Sequence, residues 1–245
     1  MDKAAFELEK IQNIQALGNN ETLKKTAHDF ILQQVEHKYT YNFTWLGIPI
    51  IQFPQDMIAL QEVIWKVKPD VIIETGIARG GSAIFYASLQ KLIGNDGIVI
   101  GVDVDIRPHN RVEIENHPLS KNIYLIEGDS VSQEVYKQVV NIVSNRKSVL
   151  IILDSNHTHE HVYKELEVYS PLVSENSYLI VLDTVVDDMP DHFFEDRPWK
   201  SGNSPKSAVR QFLKHNQQFV VDKSIEDKLL ITVAPEGYLK RLPNE

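Results

Sequence analysis

The pattern that most restricts this chain begins at Asp70, where short and almost wholly apolar runs alternate with segments of helical periodicity. VIIE (71–74), IVIGVDVD (98–105), NIYLIEGD (122–129), SVLIILDS (148–155) and SYLIVLD (177–183) have strand length. A helical stretch over about 80–92 follows the first run. Later segments carry Val135, Val139, Ile142 and Val143, then Val162, Leu166 and Tyr169, each on one helical face. Continuous apolar strands separated by amphipathic helices predict a mostly parallel sheet covered on both faces. FVVD (219–222) and KLLITVA (228–234) are five residues apart. That gap is too short for a crossover helix, so the pair predicts an antiparallel hairpin ending the sheet.

Ahead of this pattern, residues 1–40 place Phe6, Ile11, Ile14 and Leu17, then Leu23, Ala27, Phe30, Ile31 and Gln34, at helical spacing. YNFTWLGIPIIQF (41–53) reads as an extended lead-in to a helix over about 55–67. The expected organisation is a helical extension with its lead-in over 1–53 and an α/β domain over 54–245. The surplus of 34 acids over 25 bases argues against coating a nucleic acid backbone. With no cysteine, thiolate metal sites, iron–sulfur clusters and thiol nucleophiles are excluded. There is no apolar run long enough to span a membrane, and MDKAAFELEK is no signal peptide, so the expected location is the cytoplasm. Apolar surface on the N-terminal helices and around Trp45 predicts a homo-oligomer.

In an open α/β sheet the ligand site lies beyond the carboxyl ends of the strands. The first strand ends in ETGIARGGS (74–82). Gly76 permits a tight turn, Gly80 and Gly81 permit close backbone approach, and Ser82 opens a helix. This is neither the GxGxxG dinucleotide fingerprint nor a P-loop. It suits a cofactor with a charged amino-acid end and no pyrophosphate. The second strand delivers Asp103 and Asp105; Asp103, ending the apolar run, is the better acceptor for ribose hydroxyls. The third delivers Asp129 and Ser130, which can meet an adenine edge or merely cap a helix. LDSNHTHEH (153–161) ends the fourth. His157 is a candidate base, whereas His159 and His161 read as surface helix residues. Asp154 and Asp183 end strands expected to be neighbours, so their carboxylates can converge on a hard divalent cation. From 183 to 196 there are six acids and no Lys or Arg, a field favouring a cation and a neutral acceptor.

Taken together, the chain resembles the cephalosporin-hydroxylase-type family of class I S-adenosylmethionine-dependent methyltransferases. WLGIPIIQFPQD (45–56), KPDVIIETGIARGGSAIF (68–85), GVDVDIR (101–107), LDSNHTHEHV (153–162), DRPWKSGNSPKSAVRQFL (196–213) and LLITVAPEGYLKR (229–241) carry the resemblance. It implies a Rossmann-like fold with a seven-stranded sheet. The implied S-adenosylmethionine site comprises Glu74, Gly76, Ala78, Gly80, Ser82, Asp103, Asp129, Ser130 and Asp154. It also implies a link to metal-dependent O-methyltransferases, in which an acid ending the fourth strand binds Mg²⁺ and a basic residue three positions later deprotonates the acceptor. Asp154 and His157 have that relation. Metal-binding relatives commonly carry two ligands after the fifth strand, whereas this chain has Leu182-Asp183-Thr184. The expected metal set is therefore Asp154, Asp183 and Thr184, with Asp187 or Asp188 as replacements.

The resulting expectation is an O-methyltransferase acting on a small hydroxylated acceptor, a sugar, polysaccharide or natural-product intermediate. Residues 184–203 would cover it, with Phe193, Phe194 and Trp199 as walls. Two alternatives stand beside this reading. One is a cofactor-holding, non-catalytic partner of another enzyme. The other is an iron-dependent hydroxylase built on Asp154, His157 and His159.

Overall fold

The computed structural model describes residues 2–243. Two helices come first, α1 (Lys3–Gly18) and α2 (Glu21–Gln33), each started by an N-cap side chain, Asp2 and Asn20. The lead-in segment folds as a small antiparallel pair, β1 (Phe43–Trp45) and β2 (Ile48–Ile50). Trp45 stacks edge-on against Phe85 and donates to Ser88 Oγ at 3.1 Å. Of the apolar surface assigned to association, the Trp45 part packs within the chain, whereas Phe6, Leu8 and Ile11 on α1 stay exposed. Pro54, whose fixed φ suits a first helical position, opens α3 (Pro54–Val67).

The alternating pattern then becomes β3 (Val71–Thr75), α4 (Gly81–Ile93), β4 (Ile98–Asp103), α5 (Pro108–Glu115), β5 (Ile123–Glu127), α6 (Gln133–Val143), β6 (Val149–Leu153), α7 (His159–Tyr169) and β7 (Tyr178–Val181). After β7 come α8 (Pro205–His215), β8 (Phe219–Val221), α9 (Lys223–Leu229) and β9 (Tyr238–Arg241). The seven-stranded order is β5-β4-β3-β6-β7-β9-β8, and β3 through β7 are parallel. Strand periodicity divides the core. Val71, Ile73, Val149 and Ile151 pack with α6, α7 and α8 on one face. Ile72, Leu150 and Ile152 pack with α3 and α4 on the other. That two-sided burial is why the strands read as unbroken apolar runs.

The antiparallel end of the sheet exists but uses a different strand from the one expected. β9, at Tyr238–Arg241, is inserted between β7 and β8 and runs antiparallel to both. Of the run 228–234, Lys228 and Leu229 finish α9. Ile231 and Val233 pack instead beside Ile31, Phe53, Val185 and Met189, where the N-terminal helices meet the sheet domain. Their apolar character serves that packing and no sheet ladder. No helix among the described residues is long and apolar enough to cross a membrane.

Candidate active site

Chain order reverses between β3 and β6: from β3 the chain proceeds outward through β4 and β5, then returns to β6 and β7 on the opposite side. Ligands bind at such a switch point. The two strand ends touch there. A Cβ on Gly76, which has φ +83°, would stand 2.1 Å from the Asp154 carbonyl, so only glycine fits. Above this contact opens a cleft of about 650 Å³, within the usual range for a small-molecule site.

Gly76, Ala78, Asp103, Asp129, Ser130, Asp154, His157 and Asp183 line the cleft. Ser82 opens on a small recess beside it, together with Gly76, Ala78 and Asp154. Glu74 and Gly80 do not line it. Glu74 is fully buried, accepts a hydrogen bond from Ser82 Oγ at 2.7 Å and leaves Oε1 without a partner among the described residues. Burial pushes its carboxyl up to about 8, so it is largely protonated at neutral pH. Gly80, at φ +86°, admits the Ile114 side chain where a Cβ would sit. Asp103 holds the glycine turn itself, its Oδ2 accepting from the Ile77 and Ala78 amides at 3.0 Å each. Ala78 sits in the left-handed region, with φ 46°.

Asp154, His157 and Asp183 converge, with one ligand atom from each lying within 4.8 Å of the others. His157 Nε2 is 3.2 Å from Asp183 Oδ2, and its ring meets Trp199 edge-on at 4.8 Å. The register of β6 against β7 sets this convergence, because the two strands end side by side. Burial, reinforced by Asp183, Glu74, Glu165 and Asp103, pushes the Asp154 carboxyl well above the usual carboxylate range. A divalent cation would relieve that repulsion, and an oxygen-rich donor set with one imidazole fits one.

Other expected participants lie elsewhere. Thr184 is fully buried and donates its hydroxyl proton to the Pro235 carbonyl at 2.6 Å, so it does not join the group. Leu182 packs in the core. Asp187 accepts from Gly202 N and Ser204 Oγ and faces Arg210, while Asp188 pairs with the buried Lys206. Neither replaces a missing ligand. His159 is half-buried between α7 and α8, its ring bonded to Ser207 Oγ and Gln211 Oε1 at 2.7 and 2.9 Å. It is neither a surface residue nor a partner for an Asp154–His157 iron set. Trp199 reaches the site, but Phe193 and Phe194 pack with Val185 and Met189.

Several cleft residues escaped the sequence reading: Thr40, Tyr41, Gln52, Ser155, Asn156 and His161. Gln52 carried a usable signal, a lone amide within the apolar run IPIIQF. It is buried, with Oε1 unpartnered among the described residues. His161, expected on the surface, instead stands over Ser130, Ser155 and the wholly buried Glu165.

Residues 37–242 match the family described as Rhamnosyl O-methyltransferase/CmcI. The chain is 28% identical over 213 residues to a rhamnosyl O-methyltransferase of Mycobacterium leprae (strain TN), across 84% of this chain and 88% of that protein. An apo structure of CmcI has a TM-score of 0.60 at 19% identity, covering 83% of this chain and 78% of that one. A CmcI structure with Mg and SAM, equal in identity and coverage, scores 0.58. With the family match spanning both the sheet and the cleft, the chain belongs to the rhamnosyl O-methyltransferase/CmcI family.

Proposed function

We propose that this protein is an S-adenosylmethionine-dependent O-methyltransferase that methylates a hydroxyl of a glycosyl acceptor, with Mg²⁺ at Asp154 and Asp183. The observation that carries the reading is the convergence of Asp154, His157 and Asp183 in the cleft that also contains the Gly76 turn. The sulfonium supplies an activated methyl group, and bound Mg²⁺ would lower the pKa of the acceptor hydroxyl.

The chain's own residues then have definite work. The turn at Gly76 and Ala78, held by Asp103, accepts the amino-acid end of the donor, and Asp103 presents its carboxylate to the ribose. Glu74 supports that turn from below through Ser82. His157, oriented by Asp183 at Nε2 and by Trp199, takes the acceptor proton on the ring nitrogen that Asp183 leaves free. Tyr41, Gln52 and Val233 line the acceptor side. Holding both reactants in line supplies most of the rate gain, because the donor needs no further activation.

A rhamnosyl or related polysaccharide or natural-product sugar is the acceptor class favoured by the similarity to the mycobacterial enzymes. A cytoplasmic location accords with this use of the donor. Exposed Phe6, Leu8 and Ile11 on α1 support self-association through that helix, which size-exclusion chromatography of wild type against Phe6→Ser would test.

The functional test is incubation with methyl-labelled S-adenosylmethionine, Mg²⁺ and a panel of rhamnosyl and hexosyl acceptors. Label should enter an acceptor hydroxyl, and chelator should suppress it. Cofactor binding with no methylation across the panel would favour the non-catalytic partner, and a product requiring iron and oxygen would overturn the reading. His157→Ala should lose turnover while retaining metal. Loss of both would make His157 a metal ligand.

A further inference from the structure

Glu165, on α7, is wholly buried, and its Oε1 accepts the hydroxyl protons of both Ser130 and Ser155, at 2.6 and 2.7 Å. Ser130 follows β5 and Ser155 follows β6, so one carboxylate ties together two walls of the cleft. A serine hydroxyl has a single proton. With both protons given to Glu165, the serine oxygens present only lone pairs to His161 Nε2, at 3.1 and 3.2 Å. Nε2 must therefore carry the hydrogen. Glu165 holds the His161 pKa above the ordinary imidazole value, and once the ring is neutral, in mildly alkaline solution, Nδ1 is left as an acceptor. Nδ1 has no partner among the described residues, yet it is not among the buried unpartnered atoms. It is thus open to solvent on a residue that lines the cleft.

This inference rests on the donor reading given above. With the methyl group facing His157 and the amino-acid end at Gly76, the nucleoside extends across the ends of β4 and β5, past Asp103 to Gly128, Asp129 and Ser130. His161 stands at that end. We propose that His161 reads the nucleobase of the methyl donor, its Nδ1 accepting a hydrogen bond from the exocyclic amine of adenine. Glu165, acting through the two serines, is a positioning residue that selects the tautomer. Asp129 is the other acceptor at this end, although its Oδ1 already takes the Val131 amide at 3.1 Å.

A pair of product-like ligands tests this without turnover. S-adenosylhomocysteine carries the amine; S-inosylhomocysteine has a carbonyl oxygen in its place and cannot donate there. Calorimetric titration in mildly alkaline buffer should show wild type preferring the adenosyl ligand by about tenfold. His161→Phe should bind the two alike, and His161→Asn, which keeps an amide oxygen near the position of Nδ1, should restore part of the preference. Glu165→Gln, which keeps its size but changes the proton pattern, should also narrow the preference. A preference intact in His161→Phe would overturn the proposal and give the amine to Asp129. Equal weakening of both ligands would do the same, because a merely structural residue would act that way. Equal affinity of wild type for both ligands would refute it as well. Failure of wild type to bind either ligand would instead overturn the donor reading, and this proposal with it.

Discussion

Two pairs of aspartates flank the end of β7, and their electrostatic settings are opposite. Asp154 and Asp183 converge on the cleft with only His157 between them. Asp187 and Asp188, a few residues on, face Arg210 and Lys206. Burial opposes charge on Asp187, but hydrogen bonds from Ser204 and Gly202, with Arg210 and Lys206 nearby, hold it below the usual carboxylate range. Asp154 is pushed the other way, chiefly by burial and then by Asp183. The second pair anchors the irregular segment after β7 to α8; the first is left for a cation to complete. Acid count in sequence does not separate these roles. The distribution of counter-charge does.

The sharpest way to break this contrast is to remove one charge-bearing group from each setting. Asp154→Asn should lower turnover by roughly 10³-fold, because it removes a carboxylate from the proposed metal site. It should leave the metal-free protein as stable as wild type or more so, since the site already disfavours the charged form of this carboxyl. Lys206→Met should behave inversely. It leaves Asp188 without its cation and should cost about 2–3 kcal/mol in chemical denaturation. Its effect on activity should fall mainly on KM, as the segment carrying Trp199 loosens.

A smaller effect comes from Glu74. Its carboxyl is raised to about 8 when folded, against an ordinary value when unfolded. Between those values the folded chain holds a proton that the unfolded chain has lost. Stability therefore falls as pH rises across the interval. Thermal melts over this range should show that decline, and Glu74→Gln should flatten it. The smallest effect is expected at Thr184. Thr184→Val removes the hydrogen bond to Pro235 and should cost about 1 kcal/mol, with divalent-cation affinity unchanged. Weakened cation binding in that variant would restore Thr184 to the metal set.

How far the sequence was legible follows from the range of the interactions involved. The pairing of His157 with Asp154 rests on the family resemblance, whereas the parallel strands, the Gly76 turn and the convergence of Asp154 with Asp183 follow from local pattern plus one topological rule, that strand ends converge at a switch point. The position of β9 does not, because YLKR is a weaker apolar run than KLLITVA. The stronger run instead ends α9 and packs where α2 meets the sheet domain. α8 goes unassigned from the sequence, although Ser204 caps it, Pro205 opens it, and Ala208, Val209 and Phe212 share its buried face. The histidines were the hardest. His157, His159 and His161 look alike in sequence, yet they meet Asp183, Ser207 and Ser130, partners between 26 and 48 residues away. No local periodicity encodes such contacts. The six acids of 183–196 were likewise over-read as a free field, since Arg210 and Lys206 lie beyond that window.

The central claim is that Asp154 and Asp183 form a divalent-cation site, whereas Asp187 and Asp188 do not. The most direct measurement is titration of Mn²⁺, followed by electron paramagnetic resonance, into wild type, Asp154→Asn and Asp187→Asn in the presence of S-adenosylhomocysteine. Wild type and Asp187→Asn should bind the ion at a single site, and Asp154→Asn should lose that binding. Binding that survives in Asp154→Asn, or disappears in a folded Asp187→Asn, would contradict the account.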